Sequence, residues 1–224
     1  MEKYFNQIKN SPIFYGINNE ELINLLKCFK AKIKSFSKGD LIIRQGENIT
    51  KLYLILEGNV NIEKDTYLAN RIIISKLTIN DNIALSYIAS KTKEADIDAY
   101  ATEDVKVLVL NYEKCTSMCQ NACTKHKILI NNLFKIIAKE NIGLIEKIEN
   151  ISQKSIKDKL LTYLSNEARK NKSNRFSIIF NRQELADYLN IDRSAMCFEL
   201  SKLKKAGLID YEKNKFVLSS KINY

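Results

Sequence analysis

The sequence predicts an α+β chain: an N-terminal antiparallel β-roll, a long dimerisation helix, and a C-terminal winged helix-turn-helix. Three observations lead there. Residues 181–207 read as two short helices around a tight turn, and residues 32–110 break into short apolar runs separated by glycine turns. Between 125 and 151 the apolar residues recur every seven.

At 224 residues there is room for two modest domains, with expected divisions at 1–112, 113–151 and 152–224. Net charge is +10, from 36 Lys+Arg against 26 Asp+Glu, which favours a polyanionic partner. No apolar run has the length to span a bilayer, and the start, Met1 to Asn6, lacks the layout of a secretion signal. A cytoplasmic protein with no membrane partner is expected, and there the five cysteines are free thiols or ligands rather than disulfides.

Glu2 to Lys30 reads as helical, with Asn18 or Asn19 capping a segment whose Leu22, Leu25, Leu26 and Phe29 share a face. The period then changes. Leu41–Ile43, Leu52–Leu56, Val60–Ile62, Ile72–Ile74 and Val105–Leu110 are short apolar runs, with turns at Lys38-Gly39-Asp40, Gln45-Gly46-Glu47 and Glu57-Gly58-Asn59.

Cys115, Cys119 and Cys123 follow at spacing i, i+4, i+8, with His126 three further on. On a helix from Glu113 to His126 all four share one slowly drifting face, where thiolates and an imidazole can ligate zinc, an iron–sulfur cluster or haem iron, or oxidise as a sensor. The spacing is not the C-x2-C of common sites. The other reading is of small, half-buried cysteines at the end of the roll, with His126 as a surface residue. Cys28 and Cys197 read as isolated thiols.

Ile130, Ile137, Leu144 and Ile151 form the heptad, widened by Phe134 and Ile148 and interrupted by Glu140, Asn141 and Gly143. Such a stripe on a charged helix is a two-stranded seam, or else it packs on the roll within one subunit. Ser152 is expected to cap the next helix, and Arg175–Phe180 to form a strand.

Asn181 can cap a helix, with Glu184 placed for a capping box. Asn190 suits a left-handed bend, and Asp192 caps the second helix, whose Met196, Leu200 and Leu203 form its back. Its front carries Arg193, Ser194, Cys197, Phe198, Ser201, Lys202 and Lys205. A basic front on an apolar-backed helix fits the major groove of double-stranded DNA. Residues 208–218 read as two strands around Lys213-Asn214, a wing whose basic tip can rest on phosphate.

The run Lys38-Gly39-Asp40, Arg44-Gln45-Gly46-Glu47 and Leu52 to Val60, followed at the right distance by Arg182-Gln183-Glu184-Leu185-Ala186, resembles the Crp/Fnr family of bacterial transcription regulators. The resemblance covers nearly the whole chain. It implies a homodimer whose cyclic-nucleotide-type roll senses a signal, whose long helix pairs the subunits, and whose winged helix binds a two-fold operator. Arg182, Gln183, Arg193, Ser194, Phe198, Ser201, Lys202, Lys205 and Lys213 are the expected DNA contacts. Ile130, Phe134, Ile137, Leu144, Ile148 and Ile151 are the expected dimer seam. An activator would also meet RNA polymerase.

Two departures matter. Cyclic-AMP-binding relatives carry a Gly-Glu pair and an Arg-Ser/Thr-Ala turn, where this chain has Ala84-Leu85 and Lys93-Glu94-Ala95. An anion facing an anion argues against cyclic AMP. On the recognition helix, Arg193, Ser194 and Phe198 stand where those relatives carry Arg, Glu and Arg, so a different operator is expected. Arg193 can take guanine or clamp a phosphate; Phe198 either meets a thymine methyl or packs on the neighbouring helix. Glu199 occupies a position that is usually apolar.

The expected function is therefore DNA-binding transcription regulation without enzymatic chemistry. The alternative is a redox, iron–sulfur or haem sensor using Cys115, Cys119, Cys123 and His126. A cupin-like enzyme is the remote third, weakened by the absence of paired carboxylates and a His-rich strand motif.

Overall fold

A computed structural model of the chain describes residues 2–65, 71–90, 94–116 and 124–219. They group into two compact units, 1–68 with 74–140 and 69–73 with 141–224.

The first unit opens with a 3-10 turn, Glu2–Tyr4, then α1 (Phe5–Asn10), a second 3-10 turn, Pro12–Phe14, and α2 (Asn19–Cys28). The helical stretch expected over Glu2–Lys30 is divided between Ser11 and Asn18, with a separate helix starting at one of the two expected caps. Pro12 cannot continue a helix from Asn10, and Gly16 reverses the chain at a φ of 83°. Asn18 is the cap of α2: its side chain accepts from the Glu21 N–H at 2.9 Å, and Glu21 accepts in return from the Asn18 N–H at 3.4 Å.

The roll follows as β1 (Lys32–Phe36), β2 (Leu41–Ile43), β3 (Lys51–Glu57), β4 (Val60–Asp65), β5 (Arg71–Leu77), β6 (Asn82–Ile83), α3 (Leu85–Ala89), β7 (Asp98–Ala101), β8 (Val105–Asn111) and α4 (Tyr112–Thr116). Among the described residues the strands form two sheets, ordered β1-β8-β3-β6 and β2-β7-β4-β5. All five apolar runs lie within strands. β1, β6 and β7 contain no such run, so nothing in the sequence marks them. At the β3–β4 turn Gly58 has a φ of 83°, and a Cβ there would meet the Asp104 carbonyl oxygen at 2.5 Å. Only glycine fits.

One carboxylate pins the N-terminal turn to the roll. Glu57 accepts from the Tyr4 hydroxyl at 2.7 Å and from Lys3 Nζ at 3.1 Å, and pairs with Lys106 Nζ at 2.9 Å.

Helix α5 (Thr124–Ile151) contributes its first part to this unit. Leu129 and Leu133 are buried, Asn132 Nδ2 donates to the carbonyls of Ile13 at 3.1 Å and Tyr15 at 2.8 Å, and Ser86 Oγ donates to Glu140 at 2.8 Å. Its last turns belong to the second unit, where Lys170 pairs with Glu146 at 2.6 Å and Asn166 Nδ2 donates to Asn150 at 3.2 Å.

The second unit continues with α6 (Ile156–Asn171), β9 (Arg175–Ser177), α7 (Arg182–Leu189), α8 (Arg193–Lys205), β10 (Ile209–Glu212) and β11 (Lys215–Leu218), the strands ordered β10-β11-β9. Two expectations are corrected. The cap of α6 is Ser155, which accepts from the Asp158 N–H at 3.0 Å, whereas the Ser152 N–H donates to Ile148 and closes α5. The strand expected at Arg175–Phe180 ends at Ser177, because the pairing with β11 stops there and Ile178 and Phe180 turn into the core.

Lys106, Tyr4 and Lys3 hold the Glu57 carboxyl at about 2, below its ordinary 4.5. A depressed carboxyl stabilises the fold above its unfolded value and loses that contribution as the pH falls through about 2. The N-terminal turn should therefore loosen between those two values, read from the Tyr4 ring resonances. Glu57→Gln should abolish the pH response.

Candidate nucleic-acid interface

The two helices of the second unit are set by three local devices. Asn181 accepts from the Glu184 N–H at 3.0 Å, while Glu184 accepts from the Asn181 N–H at 2.8 Å. Asn190 sits in the left-handed region at φ 51°, ψ 61°, and its N–H and that of Ile191 close the end of α7. Asp192 accepts from the Ala195 N–H at 2.8 Å and starts α8; that bond and the Ser194 hydroxyl, the larger influence, hold its carboxyl below the usual range. Met196, Leu200 and Leu203 are buried as the back of the helix.

On the front, Arg193, Ser194, Phe198, Ser201, Lys202 and Lys205 are exposed and Cys197 is half-buried. Phe198 is 64% exposed and takes no part in the C-terminal core, so it does not pack on the neighbouring helix. Lys202 Nζ lies 4.6 Å from the centre of its ring, and Glu199 pairs with Lys202 at 3.7 Å. Two hydroxyls are occupied: Ser194 donates to Asp192, and Ser201 to the Cys197 carbonyl at 3.0 Å. α8 is about 20 Å long at 1.5 Å per residue, a length suited to the major groove.

At the start of α7, Gln183 is exposed and donates to Asp187 at 2.8 Å. Arg182 is half-buried, with its guanidinium held by the wing. Lys213 and Lys215 stand exposed at the wing tip, Lys213 with a φ of 52°. Lys215 was not among the expected contacts, although its place next to the turn signals it.

In the roll, Ala84 and Leu85 are the pair expected at the position of the family's nucleotide motif. Ala84 adopts φ 54°, ψ 32°, the left-handed geometry a glycine would take without strain. Leu85, in place of a ribose-binding carboxylate, is 1% exposed within the roll core. Lys93 lies outside the described residues; Glu94 is exposed, and Ala95 is tied by its backbone to Gly46 and Glu47.

Of the cysteine set, Cys119 and Cys123 lie outside the described residues. Cys115 is fully buried, and His126 is only 5% exposed rather than on the surface, because its ring packs edge-on against Phe29 at 5.7 Å between centres. Burial pushes the Cys115 thiol up to about 12. Among the described residues no three His, Cys, Asp or Glu side chains gather as a metal site. The seam residues divide: Ile130, Phe134, Leu144 and Ile148 are exposed, while Ile137 and Ile151 are half-buried. Ile142 and Ile145, which the heptad pattern passes over, are exposed as well.

A sensor-type roll followed by a long helix and a winged helix-turn-helix defines a DNA-binding transcription regulator. Family models agree at both ends: a cyclic nucleotide-binding domain matches residues 33–122, and a Crp-like helix-turn-helix domain matches residues 158–220. The chain belongs to the Crp/Fnr family. It is 26% identical over 196 residues to a chain described as an HTH-type transcriptional regulator, ycf28 of Porphyra purpurea, covering 85% of this chain and 79% of that one. Among solved structures it is similar in fold to the c-di-GMP responsive global regulator CLP of Xanthomonas campestris, with TM-score 0.70, 14% identity, 88% of this chain and 99% of that one. FixK2 of Bradyrhizobium japonicum is also similar, with TM-score 0.67, 18% identity, 85% of this chain and 93% of that one. Among the described residues no helix is long and apolar enough to cross a membrane.

At pH 8 a thiol with a value of about 12 is almost wholly protonated. Iodoacetamide should label exposed Cys28 promptly and leave Cys115 unmodified until guanidinium unfolds the chain, as peptide mapping would show. Equal labelling of both in the native protein would contradict the buried placement of Cys115.

Proposed function

We propose that the protein is a homodimeric, cytoplasmic transcription regulator that binds a two-fold operator through α8 and the wing, does no chemistry, and does not respond to cyclic AMP. The observation that carries the reading is the front of α8, where Arg193, Phe198, Lys202 and Lys205 stand clear of the core around a rigidly capped turn. Arg193 takes guanine or phosphate, and exposed Phe198 supplies an apolar surface for a thymine methyl. Lys202, Lys205, Lys213 and Gln183 serve the phosphates. As an activator the protein would also contact RNA polymerase.

Dimerisation is supported by α5, where Phe134 is 70% exposed in a stripe with Ile130, Leu144 and Ile148. Large apolar side chains exposed along one helix are costly in a monomer and are covered by a second copy. Exclusion of cyclic AMP is supported by Leu85, whose buried apolar side chain offers no acceptor for a ribose hydroxyl.

The sensor alternative draws on His126, whose Nδ1 is buried without a hydrogen-bond partner among the described residues. It requires iron, a cluster or haem in anaerobically purified protein, seen in an absorption spectrum and metal analysis. A colourless, metal-free protein that binds its operator would remove it.

Operator affinity should fall steeply with salt, by about 0.9 in log K per log salt for each phosphate neutralised. Arg193→Ala should cost about 1–3 kcal/mol on the operator and relax selectivity, measured on DNA selected from random sequence. Unchanged operator binding would overturn the assignment. Phe134→Glu with Ile148→Glu should yield monomers in sedimentation, with operator binding weakened and folding retained; a dimer of wild-type stability would refute the seam.

A further inference from the structure

Arg182 stands at the first position of α7, where a cation is expected to reach DNA directly. Its side chain is committed elsewhere. Nη2 donates to the Lys213 carbonyl at 2.7 Å, and the guanidinium carbon lies 4.9 Å from the Tyr211 ring centre and 5.0 Å from that of Phe216. Tyr211 and Phe216 are paired across the wing hairpin, their rings 5.7 Å apart. Phe216 is buried and Arg182 half-buried.

The same ring is gripped from α8. Lys204 Nζ lies 5.2 Å from the Tyr211 ring centre, 3.4 Å from the Tyr211 carbonyl oxygen, and 2.6 Å from Asp210. Both helices of the DNA-binding pair thus hold one wing strand. Of these two cations, Arg182 also reaches the turn itself, at a residue, Lys213, that bears a left-handed φ without being glycine.

We propose that Arg182 is a positioning residue for DNA binding: it locks the wing against the first turn of α7 so that Lys213 and Lys215 meet the phosphates, and it does not contact DNA itself. The inference rests on the wing and α8 being the DNA surface, and it replaces the direct contact expected of Arg182 by an indirect one. The chemistry requires a guanidinium. A planar, delocalised cation can lie over two rings and still direct an N–H at a carbonyl, whereas an ammonium is a point charge without that plane.

Two measurements test it. In DNA-free protein, Arg182→Ala and Arg182→Lys should both accelerate amide exchange in the hairpin 209–218 by about tenfold or more, leaving α8 unchanged. Unaltered hairpin exchange would overturn the lock. In the second, each variant is compared on the wild-type background and on Lys213→Ala/Lys215→Ala. The positioning role predicts about tenfold weaker operator binding on the first, and no further loss on the second. An equal loss on both backgrounds, with binding restored by Arg182→Lys, would make Arg182 a direct phosphate contact. The exchange result stands whether or not the wild-type chain binds DNA. Failure of the wild-type chain to bind DNA in a salt-dependent way would instead count against the proposed function.

Discussion

The DNA-binding unit depends on the angle between α7 and α8, and that angle is fixed by backbone chemistry around one bend. The Asn181–Glu184 box starts α7, Asn190 reverses the chain in the left-handed region, and Asp192 restarts it as α8. Each device satisfies N–H groups that a helix end would otherwise leave bare. With both ends tied, the burial of Leu185, Met196, Leu200 and Leu203 needs one orientation of α8, and the basic front follows as its consequence. The wing extends the same rigid body, because Tyr211 takes a cation from each helix.

The long helix solves a different problem. α5 must cover the roll on one side and present apolar surface on another. It does so by dividing its residues: Leu129, Leu133 and Asn132 face the N-terminal core, while Phe134 and Ile148 are left exposed. Asn132, bonded to two carbonyls of the N-terminal segment, anchors the first part without burying an unpaired amide. Exposure of that order along a helix supports the proposed dimer, and the proposed dimer and the DNA reading support one another. A two-fold pair of α8 helices doubles the contact with one duplex.

The roll keeps the architecture of a cyclic nucleotide-binding domain. Ala84 adopts a left-handed backbone, and Leu85 beside it is buried in the roll core. Ser86, one residue on, bonds to Glu140 of α5. This stretch of the roll is thereby joined to the long helix by a side-chain hydrogen bond.

Much of this was legible in the amino-acid order, because it rests on local rules. Capping pairs three residues apart, an asparagine at a bend, a heptad stripe and glycine-punctuated apolar runs each act over a few positions, and they specified α7, α8, most of the roll and the basic front of α8. Tertiary structure decided what depends on distant neighbours. The strands β1, β6 and β7 form because partners across the sheet complete their hydrogen bonds. Ser155 rather than Ser152 begins α6, because α5 runs through to Ile151. The Arg182 guanidinium lies against the wing because Tyr211 and Phe216, 29 and 34 positions further along, fold back beneath it. Spacing along the chain reports which face a side chain occupies; only the folded chain determines what waits on that face to meet it.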